Sequence, residues 1–410
     1  MGSGSRTRAA DATWPRGLFW LLNCRRAESD WTAVAAPYRQ RVSRASFMGP
    51  RAGGRIASGQ KRRRPEGAGP KYRVARGSVG VSGAIFLVWG PPSKSRRSIV
   101  LARELGLPIA FMADTWKEGL RAAPLKYPAQ LLKTYRRLLR DRPRVVFVQS
   151  PPSFAPWSVA VYAWISGARF VIDAHTDAFE RARWTRPRWI NRLVARRAEA
   201  TLVTDSFWAE ALRDSRAEAI VIPDVPTTYS TGTSSVEANA TERLTVVFVN
   251  TWSDDEPLCA VSEAARRLPH VAFKVTGRTN GREAAMRDAP TNLDFVGYLP
   301  DSDYYALLAR SSGVMCLTTR DHTMQRGACE ALSLGRPIIT SAWPLLRSYF
   351  AKGTLHVDNS ADGIERAVTT LHDRYEELVH EIGELRDIRR AEWAERKESL
   401  RRLVVGEAAS

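Results

Sequence analysis

No stretch of this chain approaches the roughly 18 uninterrupted apolar residues that a membrane-crossing helix needs. The nearest candidate, Phe154 to Ile165, is interrupted by a proline and a serine and reads as a buried helix. Leu18–Leu22 is likewise far short of the ~7–15-residue apolar core of a signal peptide. Cysteine is scarce. Cys24, Cys259, Cys316 and Cys329 fall at no metal-ligand spacing and suggest no paired framework, so a reduced, cytoplasmic setting is expected. The chain has no Walker P-loop and no G-x-G-x-x-G following a strand, which argues against ATPases and nicotinamide dehydrogenases. Ligand clusters such as H-E-x-x-H are missing too, and neither a tightly held metal nor a cofactor is expected.

What is present describes a globular protein with a basic extension. The 410 residues suffice for two domains, and 44% hydrophobic with 26% charged residues is ordinary soluble composition. The net charge of +19 is unevenly spread. Residues 1–78 hold 17 Lys+Arg against 4 acids, and residues 121–197 hold 16 against 4; the remainder is slightly acidic. The first of these regions is rich in Gly, Arg, Ser and Ala, carries the run Lys61–Arg64, shows no periodicity and reads as a disordered tail. Arginine outnumbers lysine 53 to 9, the bias of a GC-rich genome, which also admits a true start at Met48 or later.

From Gly83 onward short apolar runs alternate with helical segments. Strands are expected at Ala84–Trp89, Ile109–Met112, Val145–Gln149, Phe170–Asp173, Thr201–Thr204 and Ala219–Ile222. Helices are expected at Tyr127–Arg140, Trp157–Ile165, Arg188–Ala198 and Phe207–Arg213. Residues 223–242, rich in Pro, Thr, Ser and Gly, break this rhythm as a linker would. A second series follows, with strands at Leu244–Val249, Val271–Val275, Leu293–Val296, Val314–Leu317 and Pro337–Thr340. Its helices lie around Leu258–Arg267, Asp303–Ala309 and Met324–Leu334, and Asp362–Leu403 is helical and charged. Strands alternating with helices imply parallel βαβ units in two doubly wound sheets, which bind ligands beyond the carboxyl ends of their strands.

The segment Met315–Thr340 carries the most chemistry. It reads as a strand, a polar loop, a helix bearing Glu330 about two turns in, a turn at Gly335 and another strand. The N–H groups and dipole of a helix start suit a phosphate, and Glu330 then comes within reach of a ribose hydroxyl. His175 follows a buried strand at the carboxyl edge of the first sheet. An imidazole there can hydrogen-bond a sugar or move a proton near neutral pH, with Asp173 and Asp177 to orient it or to deprotonate an acceptor.

On these residues the chain resembles the GT-B glycosyltransferases, two-domain enzymes that move a sugar from an activated nucleotide. Many retaining members carry two glutamates separated by seven residues at the donor site; here the second is Glu330, while the first position is His322, with Asp321 beside it. Three segments are also similar to the chitobiosyldiphosphodolichol beta-mannosyltransferases: Gln149-Ser-Pro-Pro-Ser153 with Gly167 to His175, Asn250-Thr-Trp252 followed by acids, and Met324-Gln-Arg326. Glu330 is Asp in that relative, and the Gly-Arg…Lys-Gly clamp of many members is missing after Val249. Arg278 and Arg326 are the cations available for a diphosphate.

The resemblance implies an acceptor domain at 79–225, a linker at 226–242, a donor domain at 243–365 and C-terminal helices at 366–410 packing back across both. It implies His175 and Asp173 as catalytic residues. Arg278, His322, Met324, Arg326 and Glu330 fall on the donor side, and Gly90, Asp177 and Trp252 on the acceptor or cleft side. A nucleotide-diphosphate sugar and a glycan or polyprenyl-linked acceptor are the expected partners, with transfer independent of metal. The basic stretch 121–197, where arginines interleave with Trp184 and Trp189, suits an anionic membrane surface at the inner face of the plasma membrane. The competing readings are a nucleotide-sugar 2-epimerase of the same architecture and a nucleic-acid-binding protein acting through the tail; nucleic acid is not the expected partner.

Overall fold

The computed structural model describes residues 83–92, 95–113, 123–229, 243–281 and 286–405. The tail expected at 1–78 and most of the linker expected at 226–242 lie outside them. Two six-stranded parallel sheets account for the rest of the architecture. The first holds β1 (Ala84–Val88), β2 (Ile109–Phe111), β3 (Val145–Ser150), β4 (Arg169–Ala174), β5 (Ala200–Val203) and β6 (Ala219–Val221) in the order β2-β1-β3-β4-β5-β6. The second holds β7 (Thr245–Phe248), β8 (Ala272–Thr276), β9 (Leu293–Gly297), β10 (Gly313–Cys316), β11 (Ile338–Ser341) and β12 (Thr354–Val357) in the order β12-β11-β10-β7-β8-β9.

Central strands such as AIFLV and VVFVQS are buried along their whole length. Helices cover both faces of each sheet, so these strands read as continuous apolar runs and not as alternating ones. The first lobe adds α1 (Arg96–Glu104), α2 (Ala123–Asp141), α3 (Phe154–Ser166), the short α4 (Asp177–Glu180) and α5 (Ala182–Thr185), α6 (Arg188–Arg197) and α7 (Ser206–Arg213). The second adds α8 (Leu258–Arg267), α9 (Asp301–Arg310), α10 (Arg326–Leu334), α11 (Pro344–Tyr349) and α12 (Ala361–Asp373). The final helix α13 (Tyr375–Val405) serves both lobes. Ile382 and Leu385 pack into the second lobe's core, whereas Trp393, Leu400 and Val404 pack with Phe86 and Phe147 of the first.

Five elements are additions to the expected ones: α1, the short α4, α5 and α11, and β12. Helix α1 opens on Arg-Arg-Ser and shows too short an apolar run to stand out, yet Val100 and Leu101 are buried. Strand β12 has four residues and exists by pairing with β11. Cys316 and Cys329 are buried free thiols.

Candidate active site

In both sheets the strand order reverses beside the first strand, between β1 and β3 and between β7 and β10. Crevices open at such points beyond the strand carboxyl ends. At the second one, α10 begins close against the sheet. A Cβ on Gly327 would lie 2.7 Å from Cys316 Sγ and 2.9 Å from Val249, so only glycine lets the helix start approach so near. Among the described residues no side chain caps α10. The N–H groups of its first turn therefore remain available to an anion.

Glu330 is one turn into α10 and 3% exposed. The expected helix start at Met324 is corrected to Arg326, which brings Glu330 closer to the helix N-terminus than the sequence suggested. Tyr304 of α9 donates its hydroxyl to Glu330 Oε2 at 2.7 Å, and Arg326 Nε donates to Oε1 at 3.3 Å. Burial pushes the Tyr304 phenol well up, and the neighbouring Glu330 carboxylate adds to the shift. Arg326 also donates to Asp224 at 2.8 Å and to the Tyr229 hydroxyl at 2.7 Å, joining α10 to the chain leaving β6. Burial opposes its charge, but Asp224, Tyr229 and Glu330 hold the guanidinium well above its ordinary value.

The first lobe contributes a network at the end of β4. Asp173 is fully buried beneath the site. Ser98 Oγ donates to its Oδ2 at 2.7 Å and Arg97 Nε to its Oδ1 at 3.1 Å. Burial alone would raise this carboxyl; Arg97 and His175, together with the Ser98 bond, overcome that and hold it well below the ordinary carboxylate range. His175 Nε2 lies 3.3 Å from Asp173 Oδ2 and 3.4 Å from Ser98 Oγ. Its ring is thus fixed through one nitrogen, and Nδ1 makes no hydrogen bond among the described residues.

These groups meet. His175, Arg96 and Arg97 from the first lobe and Met324, Arg326 and Cys329 from the second line one cavity of about 290 Å³. Two buried polar atoms of its lining, Arg97 Nη2 and Thr204 Oγ1, have no hydrogen-bond partner among the described residues. Arg96 reaches across to Asp301 and to the Tyr305 hydroxyl. The sequence reading did not name Arg96 or Arg97; the signal was the Gly-Pro-Pro loop after β1, which announces a strand-to-helix turn.

The remaining candidates stand elsewhere. His322 sits in a left-handed conformation at φ 52° and inserts into the first lobe. Its Nδ1 is 2.6 Å from Asp205 Oδ2, its ring stacks on Phe207 at 3.9 Å, and its carbonyl accepts from Trp208 Nε1 at 3.3 Å. It works in this structure as a clip between the lobes. Trp252 stacks on Phe295, and the Arg278 guanidinium lies over the Tyr298 ring, both on the β8–β9 side of the second lobe. Gly90 packs against Ser95 Oγ behind α1, and Asp177 pairs with Arg181 at 2.7 Å on the surface.

Residues 84–225 match the family model described as a glycosyl transferase 4-like domain, and residues 259–400 match one described as glycosyl transferase-like. No curated protein sequence matches the chain. Among solved structures, sucrose-phosphate synthase from Thermosynechococcus elongatus has a TM-score of 0.63 at 13% identity, covering 79% of this chain and 100% of that one. HepE from Anabaena, solved in complex with UDP and glucose, has a TM-score of 0.58 at 11% identity over 75% of this chain and 94% of that one. A putative UDP-N-acetylglucosamine 2-epimerase from Listeria monocytogenes has 0.55 at 12% identity, over 74% and 91%. At such identities these likenesses bear on the fold, which transferases and epimerases share. The family models cover both lobes and separate the two activities: the chain belongs to the GT-B glycosyltransferases of the group 1, family 4-like type, and is a glycosyltransferase.

Proposed function

We propose that the enzyme transfers a hexose from a nucleotide-diphosphate sugar to a glycan or polyprenyl-linked acceptor in envelope or exopolysaccharide synthesis, without a metal, working in the cytoplasm at the inner face of the plasma membrane. One observation carries the reading: the uncapped start of α10 and the Asp173-backed His175 face each other across a single cavity.

Transfer breaks the bond between the anomeric carbon and the diphosphate and forms one to an acceptor oxygen. Negative charge develops on the leaving diphosphate, where preorganised donors are most effective. The first-turn N–H groups of α10 supply such donors, and the unpartnered Arg97 Nη2 adds a cation from the opposite lobe. Three N–H groups of Arg326 already serve Asp224, Tyr229 and Glu330, so its part is to hold the helix start in place while its charge faces the cavity. Glu330 is placed for the ribose once Tyr304 or Arg326 shifts. His175 Nδ1 takes the acceptor proton or bonds the donor sugar.

HepE holds UDP and glucose, which makes UDP and UDP-glucose the first ligands to try. A thermal-shift panel of nucleoside diphosphates and their sugars should raise the melting temperature for one base above the others. Donor hydrolysis or transfer should then fall in His175→Ala and Glu330→Ala with the fold intact. Unchanged turnover in both variants would overturn the site.

A further inference from the structure

The outer surface of the first lobe carries a second feature, remote from the donor cavity. On α2 the exposed apolar residues Leu125, Leu132 and Leu139 recur every seven positions and so form one row. On α3, Phe154, Val161 and Ile165, seven and then four positions apart, form a second row, with Trp164 beside them. The helices run in the same direction. Tyr127 packs on Phe154 at 5.1 Å where they begin, and Leu139 and Ser166 border one hollow where they end. The two rows therefore lie side by side. Leu125 is 76% exposed, Trp164 77% and Ile165 74%, which corrects the expectation that Phe154–Ile165 is buried throughout. Exposed apolar rows on two neighbouring helices mark an interaction surface.

Its surroundings are positively charged. The hollow, about 740 Å³, is lined by Arg142, Arg144 and Arg169 together with Leu139. Arg169 has Glu199 at 3.8 Å, whereas Arg142 and Arg144 have no ionic partner among the described residues. Farther along α2, Arg137 and Arg140 share the single carboxylate of Asp141, and Arg136 is exposed between the leucines.

We propose that the outer rows of α2 and α3, with the Arg142–Arg144 hollow, dock this enzyme on an anionic lipid bilayer. Trp164, Ile165 and the leucines enter the boundary between headgroups and acyl chains, and the free arginines take lipid phosphates. Aliphatic side chains dominate the strip and give a nucleic-acid base little to stack on. A second copy of the chain would bring the same unpaired arginines together. This inference makes specific the membrane-side, lipid-linked acceptor reading and rests on it for purpose only, since docking needs no sugar.

The test is co-sedimentation of the full chain with vesicles of phosphatidylcholine alone or mixed with phosphatidylglycerol. Wild-type protein should prefer the anionic vesicles. Trp164→Ser/Ile165→Ser should lower partitioning at least about tenfold, as expected for losing two insertable side chains. Arg142→Gln/Arg144→Gln should lower it severalfold on anionic vesicles only. The basic residues 1–78 are common to all these proteins, so the ratios report the face itself. Equal binding by wild type and both variants would overturn the proposal, as would binding to neither vesicle. So would a Trp164→Ser/Ile165→Ser effect that proves, without lipid, to be a changed oligomeric state or lost RNA affinity. Thermal shifts with nucleoside diphosphates on the same samples read folding and the donor site separately, so failure of the docking face is distinguishable from failure of the transferase reading.

Discussion

The first lobe carries a net charge of +10 over residues 83–225, while the second, over 243–405, carries −1, although each is built on six parallel strands. The contrast extends to how each supports the cavity between them. The first holds His175 by a buried, ionised network in which Asp173 answers Arg97 and Ser98. The second offers the bare start of a helix, positioned by the close approach at Gly327 and tied down by Arg326. Two ways of presenting polar groups to one cavity follow. A side-chain network concentrates its dependence on one carboxylate, whereas a backbone site depends on packing and is hard to remove with a single substitution.

That contrast predicts unequal damage. Asp173→Asn should be the most harmful change, because it strands the Arg97 charge in the interior, and breaking a buried pair costs about 3–5 kcal/mol. Urea unfolding of the variant beside wild type measures the loss; a loss below about 1 kcal/mol would mean the network behaves like a surface pair. The Asp173 pKa is depressed in the fold, so its stabilisation is fully present above the ordinary Asp value of about 3.9. It shrinks as pH falls below that value and is gone once the folded pKa is passed. The gap between wild type and Asp173→Asn should accordingly stay flat from neutral pH to about 4 and close only in stronger acid.

On the other lobe, Glu330→Ala should spare the α10 N–H groups and weaken nucleoside-diphosphate binding about tenfold to a hundredfold, the range for losing a charged hydrogen bond of about 1.5–3 kcal/mol. Calorimetric titration reads this directly. Unaltered affinity together with a large drop in stability would reassign Glu330 to holding Tyr304 and Arg326. His322→Ala comes next. Losing the stack on Phe207 should cost about 0.5–1.5 kcal/mol, and as a clip its removal should raise the donor KM more than it lowers kcat. A kcat loss matching that of His175→Ala would instead place His322 on the sugar. The smallest effect concerns Cys316 and Cys329, whose thiols burial pushes well up. Both should resist a disulfide reagent in the native enzyme and react once it is unfolded.

Much of this was legible beforehand because it is written in contiguous residues. Runs such as Val145–Val148 can only be strands buried on both faces, and the apolar run ending at Asp173 puts His175 at a strand's carboxyl edge. The loop before α10 likewise marked the strand-to-helix turn that leads to Glu330. Other features left weak traces. The Arg-Arg-Ser start of α1 looks like a surface turn until Arg97 is seen against Asp173, and four-residue β12 gains its identity from β11. His322 occupies a position that family resemblance assigned to the donor, whereas its neighbours place it against Asp205, 117 residues away.

Hydrophobic periodicity and loop composition were enough to specify the element types, the two-lobe parallel architecture and the sheet edges that border the cavity, since those depend on which neighbouring side chains must leave water. Which charges neutralise one another was settled only when the chain closed up: Arg97 with Asp173, Arg326 with Asp224, His322 with Asp205. The same is true of the outward-facing leucine, tryptophan and isoleucine rows, whose exposure depends on what the packed helices fail to cover. Such pairings and exposures join residues far apart in the chain, and electrostatic and packing energies depend on distance in space, which no local pattern encodes.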